Sequence, residues 1–165
     1  MIAKRWKWIT LIVVAVSLGI FLSAKMFTGI MEPEWSVQRA AVQQAYEKTI
    51  LAKADKVERF VGDQIYTVIQ GKDKIGQPVI VWVSENDIRT EMASSGITSE
   101  QAKQGLLSQQ PDAEILRIQP GILDGQPVWE VFYKREPEGE KEKHYYTYYK
   151  FTDGSLIDTW RLNIQ

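Results

Sequence analysis

The stretch "IQGKDKIGQPVIVWVSE" (Ile69–Glu85) decides the fold. "GQPV" stands at Gly76–Val79 and again at Gly125–Val128, 49 positions later. Each copy leads into an apolar, aromatic run, "GQPVIVWVSE" first and "GQPVWEVFYK" second. With that offset held, "IQGKDKIGQPV" (Ile69–Val79) lies on "IQPGILDGQPV" (Ile118–Val128) without a gap. Proline at the first position of a strand removes no central ladder bond. Each GQPV therefore predicts the start of a central strand, in two copies of one supersecondary unit. Two copies are fewer than the three or more that a solenoid stacks. Each copy must bury its own core or pack on the other.

Working outward, "VERFV" (Val57–Val61), "IYTVIQ" (Ile65–Gln70) and "PVIVWVS" (Pro78–Ser84) are short β-branched and aromatic runs separated by turn residues. They predict an antiparallel meander. Before them, Val42, Ala45, Tyr46 and Ile50 recur at three and four residues, which predicts one face of a helix from Val37 to about Lys53, capped by Ser36. "SENDIRTEMASSG" (Ser84–Gly96) joins the two copies. The second opens on "ITSEQA", where Thr98 and Gln101 have the spacing of a capping box and Ile97 and Ala102 that of a hydrophobic staple. This helix runs to about Gln110 with Ala102, Leu106 and Leu107 inward. Strands follow at Glu114–Ile118, Val128–Lys134, His144–Phe151 and Leu156–Leu162, with Asp153-Gly154 as a two-residue hairpin signal. "REPEGEKEK" (Arg135–Lys143) is a charged, solvated loop. Alternation sends Glu130 to water and Trp129, Val131 and Tyr133 toward the helix, with Ile80, Trp82 and Ser84 as their equivalents in the first copy.

The N-terminus predicts a location. "WITLIVVAVSLGIFLSA" (Trp8–Ala24) is 17 residues without a charge. At a rise of about 1.5 Å per residue it covers roughly 25 Å, slightly less than a hydrocarbon core of about 30 Å. "MFTGIM" (Met26–Met31) lengthens it, and Lys25 can snorkel. The run also suits a signal-peptide core, but leucine at 22 stands where cleavage wants a small residue. Lys4, Arg5 and Lys7 precede the run, which puts the N-terminus in the cytoplasm and the body outside. Trp6, Trp8 and Trp35 suit interfacial positions. The expected organisation is a cytoplasmic tail at 1–7, an anchor at 8–30, a short break at Pro33, one unit at 36–95 and another at 96–165.

Composition narrows the function. Hydrophobic residues make up 44% and charged residues 25%, which is globular rather than disordered. The formal net charge of −1 gives no basic footprint for nucleic acid. Zero cysteines exclude disulfides, thiolate nucleophiles and cysteine-held metals. His144 is the one histidine, and there is no Ser-x-x-Lys, His-Glu-x-x-His or Gly-x-Ser-x-Gly. Glu136, Glu138, Glu140 and Glu142 are interleaved with Lys141 and Lys143, the pattern of a solvated loop rather than a cation site. No enzyme, metal or cofactor is expected. The unusual stretch is "HYYTYYKF" (His144–Phe151). If Phe151, Tyr149, Thr147 and Tyr145 point inward, then His144, Tyr146, Tyr148 and Lys150 line the outer face. Tyrosines beside a cation suit a protein interface or stacking on sugar rings; cross-strand pairing alone also accounts for them.

"ITSEQAKQGLL", "VWEVFY" and "YYKFTDGSL" resemble the PepSY domain, a capped helix over an antiparallel sheet of cystatin-like form. The whole chain, "VERFVGDQIYTVIQGKDKIGQPVIVWV" above all, is similar to the TseB-like (YpmB) proteins of Gram-positive bacilli. The resemblance implies an α+β protein: an N-terminal transmembrane helix, then two PepSY-like helix-on-antiparallel-sheet units. It further implies a non-enzymatic regulator of cell-wall elongation whose partner is a membrane-anchored penicillin-binding transpeptidase. The alternative it leaves open is a peptidase inhibitor or chaperone-like module at the cell surface.

Overall fold

The computed structural model describes residues 14, 16–23, 35–136 and 141–162. The chain divides into two compact units, Met1–Ala40 and Ala41–Gln165. In the first, residues 14, 16–23 and 35–40 are helical. No helix among the described residues is long and apolar enough to cross a membrane. Most of the expected anchor, with Lys4, Arg5, Lys7 and the tryptophans at 6 and 8, lies outside the described residues.

The second unit is α+β. Helix α1 (residues 35–48), whose residues from Ala41 on belong to this unit, precedes a sheet of β1 (Lys53–Val61), β2 (Ile65–Lys72), β3 (Pro78–Val83) and β4 (Ile88–Met92), in that spatial order. A 3-10 turn (Ala93–Ser95) leads to α2 (Ser99–Gln109), then to β5 (Glu114–Leu123), β6 (Gln126–Arg135), β7 (Lys143–Lys150) and β8 (Leu156–Leu162), again neighbours in chain order. All pairings are antiparallel. β4 was not expected; its residues fall in the segment assigned to a connection.

Helix α1 stops earlier than the periodicity predicts. Thr49 Oγ1 donates to the Ala45 carbonyl at 2.6 Å and accepts from Leu51 N at 3.1 Å, which offers the backbone a way out of the helix. Its buried face is also different. Ala41 and Ala45 are buried, whereas Tyr46 and Ile50 are exposed. The two alanines pack over Ile69, Val79, Val81 and Val83.

This placement overturns the expected orientation of β3. Ile80 and Trp82 face away from α1, into a larger core with Phe60, Tyr66, Val68, Ala102, Leu106, Trp129 and Phe151. Val79 through Val83 are all buried, so the strand has no water face for alternation to mark. Sheet β1–β4 is thus covered on both sides, by α1 and by the second half. Phe60 rests on Gly121 of β5, where a Cβ would collide with its ring.

The second half follows the sequence more closely. Thr98 and Gln101 form the capping box, with Gln101 N donating to Thr98 Oγ1 at 3.2 Å and Thr98 N to Gln101 Oε1 at 2.8 Å. Ala102 and Leu106 are buried. Trp129 lies at the start of this helix and donates from Nε1 to the Ile97 carbonyl at 2.9 Å. Tyr149, Thr147 and Phe151 point inward as expected. Of the loop at Arg135–Lys143, residues 137–140 lie outside the described ones; Arg135 itself belongs to β6 and meets both oxygens of Asp112, at 3.0 and 2.9 Å.

The repeated GQPV has a different cause from the one expected. Gly76 opens the third strand of its sheet, Gly125 the second of its own, so the copies do not mark equivalent strands. They share a local device: both glycines have positive φ, +85° and +70°, and turn the chain into a strand. Asp124 (φ 48°) joins Gly125 in a two-residue loop between the paired Leu123 and Gln126, as a type I′ hairpin requires. The Asp153-Gly154 signal instead sits in a longer loop, closed by Lys150 N donating to Ser155 O at 2.9 Å. Asp153 accepts from Ser155 N and Oγ there, at 2.9 and 2.6 Å. Phe151 is meanwhile held in the core, its N–H on the Pro127 carbonyl at 3.0 Å.

Candidate functional site

Antiparallel register builds the outer face of sheet β5–β8 as three rows running across the strands. One row is Arg117, Phe132, Tyr146 and Trp160. A second is Gln119, Glu130, Tyr148 and Asp158, and a third Glu114, Lys134, His144 and Leu162.

The first row is aromatic. Phe132 and Tyr146 stack at 4.6 Å between centroids, and the Arg117 guanidinium lies 5.8 Å from the Phe132 ring. His144 stacks on the same phenylalanine at 5.7 Å. Trp160 stands edge-on to Tyr148 at 5.0 Å and is 46% exposed. Phe132, Tyr146 and His144 are thus stacked face to face across the strands, whereas Trp160 meets its neighbour by an edge.

The second row locks the sheet. Glu130, expected in water, is buried. Its Oε1 accepts from Arg117 Nη2 at 3.0 Å and Gln119 Nε2 at 2.9 Å, and its Oε2 from the Tyr148 hydroxyl at 3.2 Å. Three donors satisfy a carboxylate that burial would otherwise penalise. Tyr148, expected on the exposed face, is buried here as well. Burial first, and then the Glu130 carboxylate, raise its phenol above the ordinary tyrosine range.

Of the four residues singled out from sequence, all share this face of β7. His144 and Tyr146 are half-buried among the rings, and Lys150, at the strand's end, lies 3.7 Å from Asp153. Tyr148 is structural. Phe132, Arg117 and Trp160 were missed, since they join the site through pairing between strands. Alternation in β8 would have put Asp158, Trp160 and Leu162 on one face; the others depended on the register. Lys134 bridges Glu114 at 3.2 Å and Glu142 at 3.1 Å. No group of three or more metal-ligating side chains occurs among the described residues.

The fold is thus an α+β arrangement of two helix-covered, four-stranded meanders sharing one core, and its aromatic sheet face offers contact chemistry. The chain is 32% identical over 142 residues to "Probable cell wall elongation regulator TseB" of Bacillus subtilis (strain 168), covering 84% of this chain and 85% of that one. The sequence model of the cell wall elongation regulator TseB-like domain matches residues 40–84. The solved structure of the YpmB protein from Bacillus subtilis superposes with a TM-score of 0.66 at 28% identity, over 75% of this chain and 96% of that one. This chain belongs to the TseB-like family of cell wall elongation regulators. The matched segment runs from the middle of α1 to the residue after β3.

Proposed function

We propose that this protein regulates cell-wall elongation without catalysing a reaction, by binding a membrane-anchored penicillin-binding transpeptidase. The N-terminal apolar run holds it in the cytoplasmic membrane, with the body outside. The observation that carries the reading is the aromatic row with Arg117 at its end, on a sheet face whose neighbouring polar row is internally satisfied. Aromatic rings and arginine are the side chains enriched where proteins meet. Family membership supports the cell-wall setting.

The test uses the full chain, recovered from membranes with its partners intact and probed with a labelled penicillin. The chain is expected to bring down one or more labelled proteins. Tyr146→Ala should reduce that recovery about tenfold, as loss of an anchor worth more than 1 kcal/mol would, while His144→Ala weakens it less. No labelled protein with the unmodified chain would refute the reading. Protease added to intact protoplasts should digest the chain beyond residue 35; full protection would refute the topology.

A further inference from the structure

We infer that β8 is a pairing edge for a second copy of this chain, joining two four-stranded sheets into one of eight. Four strands are edges. β1 carries Lys53, Asp55, Lys56, Glu58 and Arg59 within nine residues, the usual protection against strand addition. β4 is half-buried along its length, and β5 lies under Phe60. β8 is less protected: it carries two charges, Asp158 and Arg161, against the five on β1, and one of its backbone amides, Thr159 N, is held by Asp158 Oδ1 at 2.7 Å. All seven of its residues are exposed, among them Leu156, Ile157, Trp160 and Leu162.

The register follows from symmetry. β8 pairs regularly with β7 from Asp158 to Leu162, and a bulge at Ile157 ends that run. The middle of the regular run is Trp160. Antiparallel pairing of two copies about a two-fold axis there sets Trp160 against its counterpart, Asp158 against Leu162 and Thr159 against Arg161. The aromatic row then continues across the junction, from Arg117 through Phe132, Tyr146 and Trp160 into the same residues in reverse. Aromatic cross-strand pairs are among the stabilising ones. Each strand also brings one carboxylate, Asp158, and one guanidinium, Arg161. Antiparallel pairing keeps like charges apart, whereas a parallel second copy would set them side by side.

The absence of native cysteine makes the register measurable in the full chain. Thr159→Cys and Arg161→Cys chains are purified in detergent, mixed and gently oxidised. The mixture should form disulfide-linked dimers at several-fold the yield of either variant alone. Directly opposed antiparallel residues lie within disulfide reach. Leu162→Lys, facing Asp158 of the other copy, should raise the yield, and Leu162→Asp should lower it. Melting curves confirm that each variant is folded. No dimer in the mixture, equal yields from single variants, or the same response to both Leu162 substitutions would overturn the pairing. So would capture of a different protein by Thr159→Cys in native membranes.

Discussion

Glu130 is a carboxylate with three donors and almost no water, so its neighbours are not equivalent. Arg117→Ala leaves a buried charge short of its countercharge, whereas Glu130→Gln removes the charge and keeps an acceptor. The first should therefore destabilise more, by roughly 1–3 kcal/mol given the exposure of Arg117, and the second less. Urea midpoints decide the order, and the reverse order would refute this account of the ion pair. Tyr149 is the opposite case: its hydroxyl is buried without a partner. Burial, with Tyr133 adding to it, pushes that phenol up to about 12. The folded state holds the proton more tightly than the unfolded chain, whose value is about 10. Stability from this group is complete below about pH 10 and is lost as pH rises toward 12. Tyr149→Phe should lose nothing at neutral pH and gain up to about 1 kcal/mol. Its alkaline decline should also be shallower, though not absent, because Tyr148 is raised too. Thermal melts from pH 8 upward measure both.

At the scale of elements, the two helices are held differently. α2 has a complete capping box, so Thr98→Ala should destabilise by about 1 kcal/mol without altering the sheet. A larger loss would mean that Thr98 also positions Ile97 for the Trp129 hydrogen bond. Native-state hydrogen exchange separates the two, since loss of the cap alone frees amides only in the first turn. α1 is attached by its alanine face over Val79, Val81 and Val83. This is why its periodicity misled. Tyr46 and Ile50 are larger than Ala41 and Ala45, yet the smaller pair lets the helix approach the strands. The GQPV repeat shows the same limit: four letters specify a glycine turn and a strand behind it, not the strand's place in a sheet.

Across the whole molecule, one core joins the halves. Phe60, Trp82 and Tyr66 from the first sheet pack in the same cluster as Trp129, Leu106 and Phe151 from the second half. Trp82 meets Phe151 edge-to-face at 6.2 Å. Residues from Ala41 onward should accordingly unfold in a single transition, seen together by tryptophan fluorescence and far-ultraviolet circular dichroism. Trp82→Ala should lower stability by about 3–5 kcal/mol and move both signals in step. Separate midpoints for the two probes would show that the halves fold independently.

The sequence by itself determined what depends on neighbours in the chain. That includes the capped helix at Thr98, most strand positions, the inward face of Tyr149 and Phe151, and the family through its particular strand–turn–strand order. Local physics settles these, because a cap, a turn or an alternation needs only a few adjacent residues. Tertiary structure decided which face of β3 meets α1, that Glu130 and Tyr148 are buried, and that Arg117, Phe132 and Trp160 join Tyr146 in a row. Each of these turns on what lies across from a residue. A strand apolar on both faces, or a glutamate whose three donors come from two other strands, carries no mark of it in its own stretch of chain. Register between strands and the packing of one half on the other supply that information.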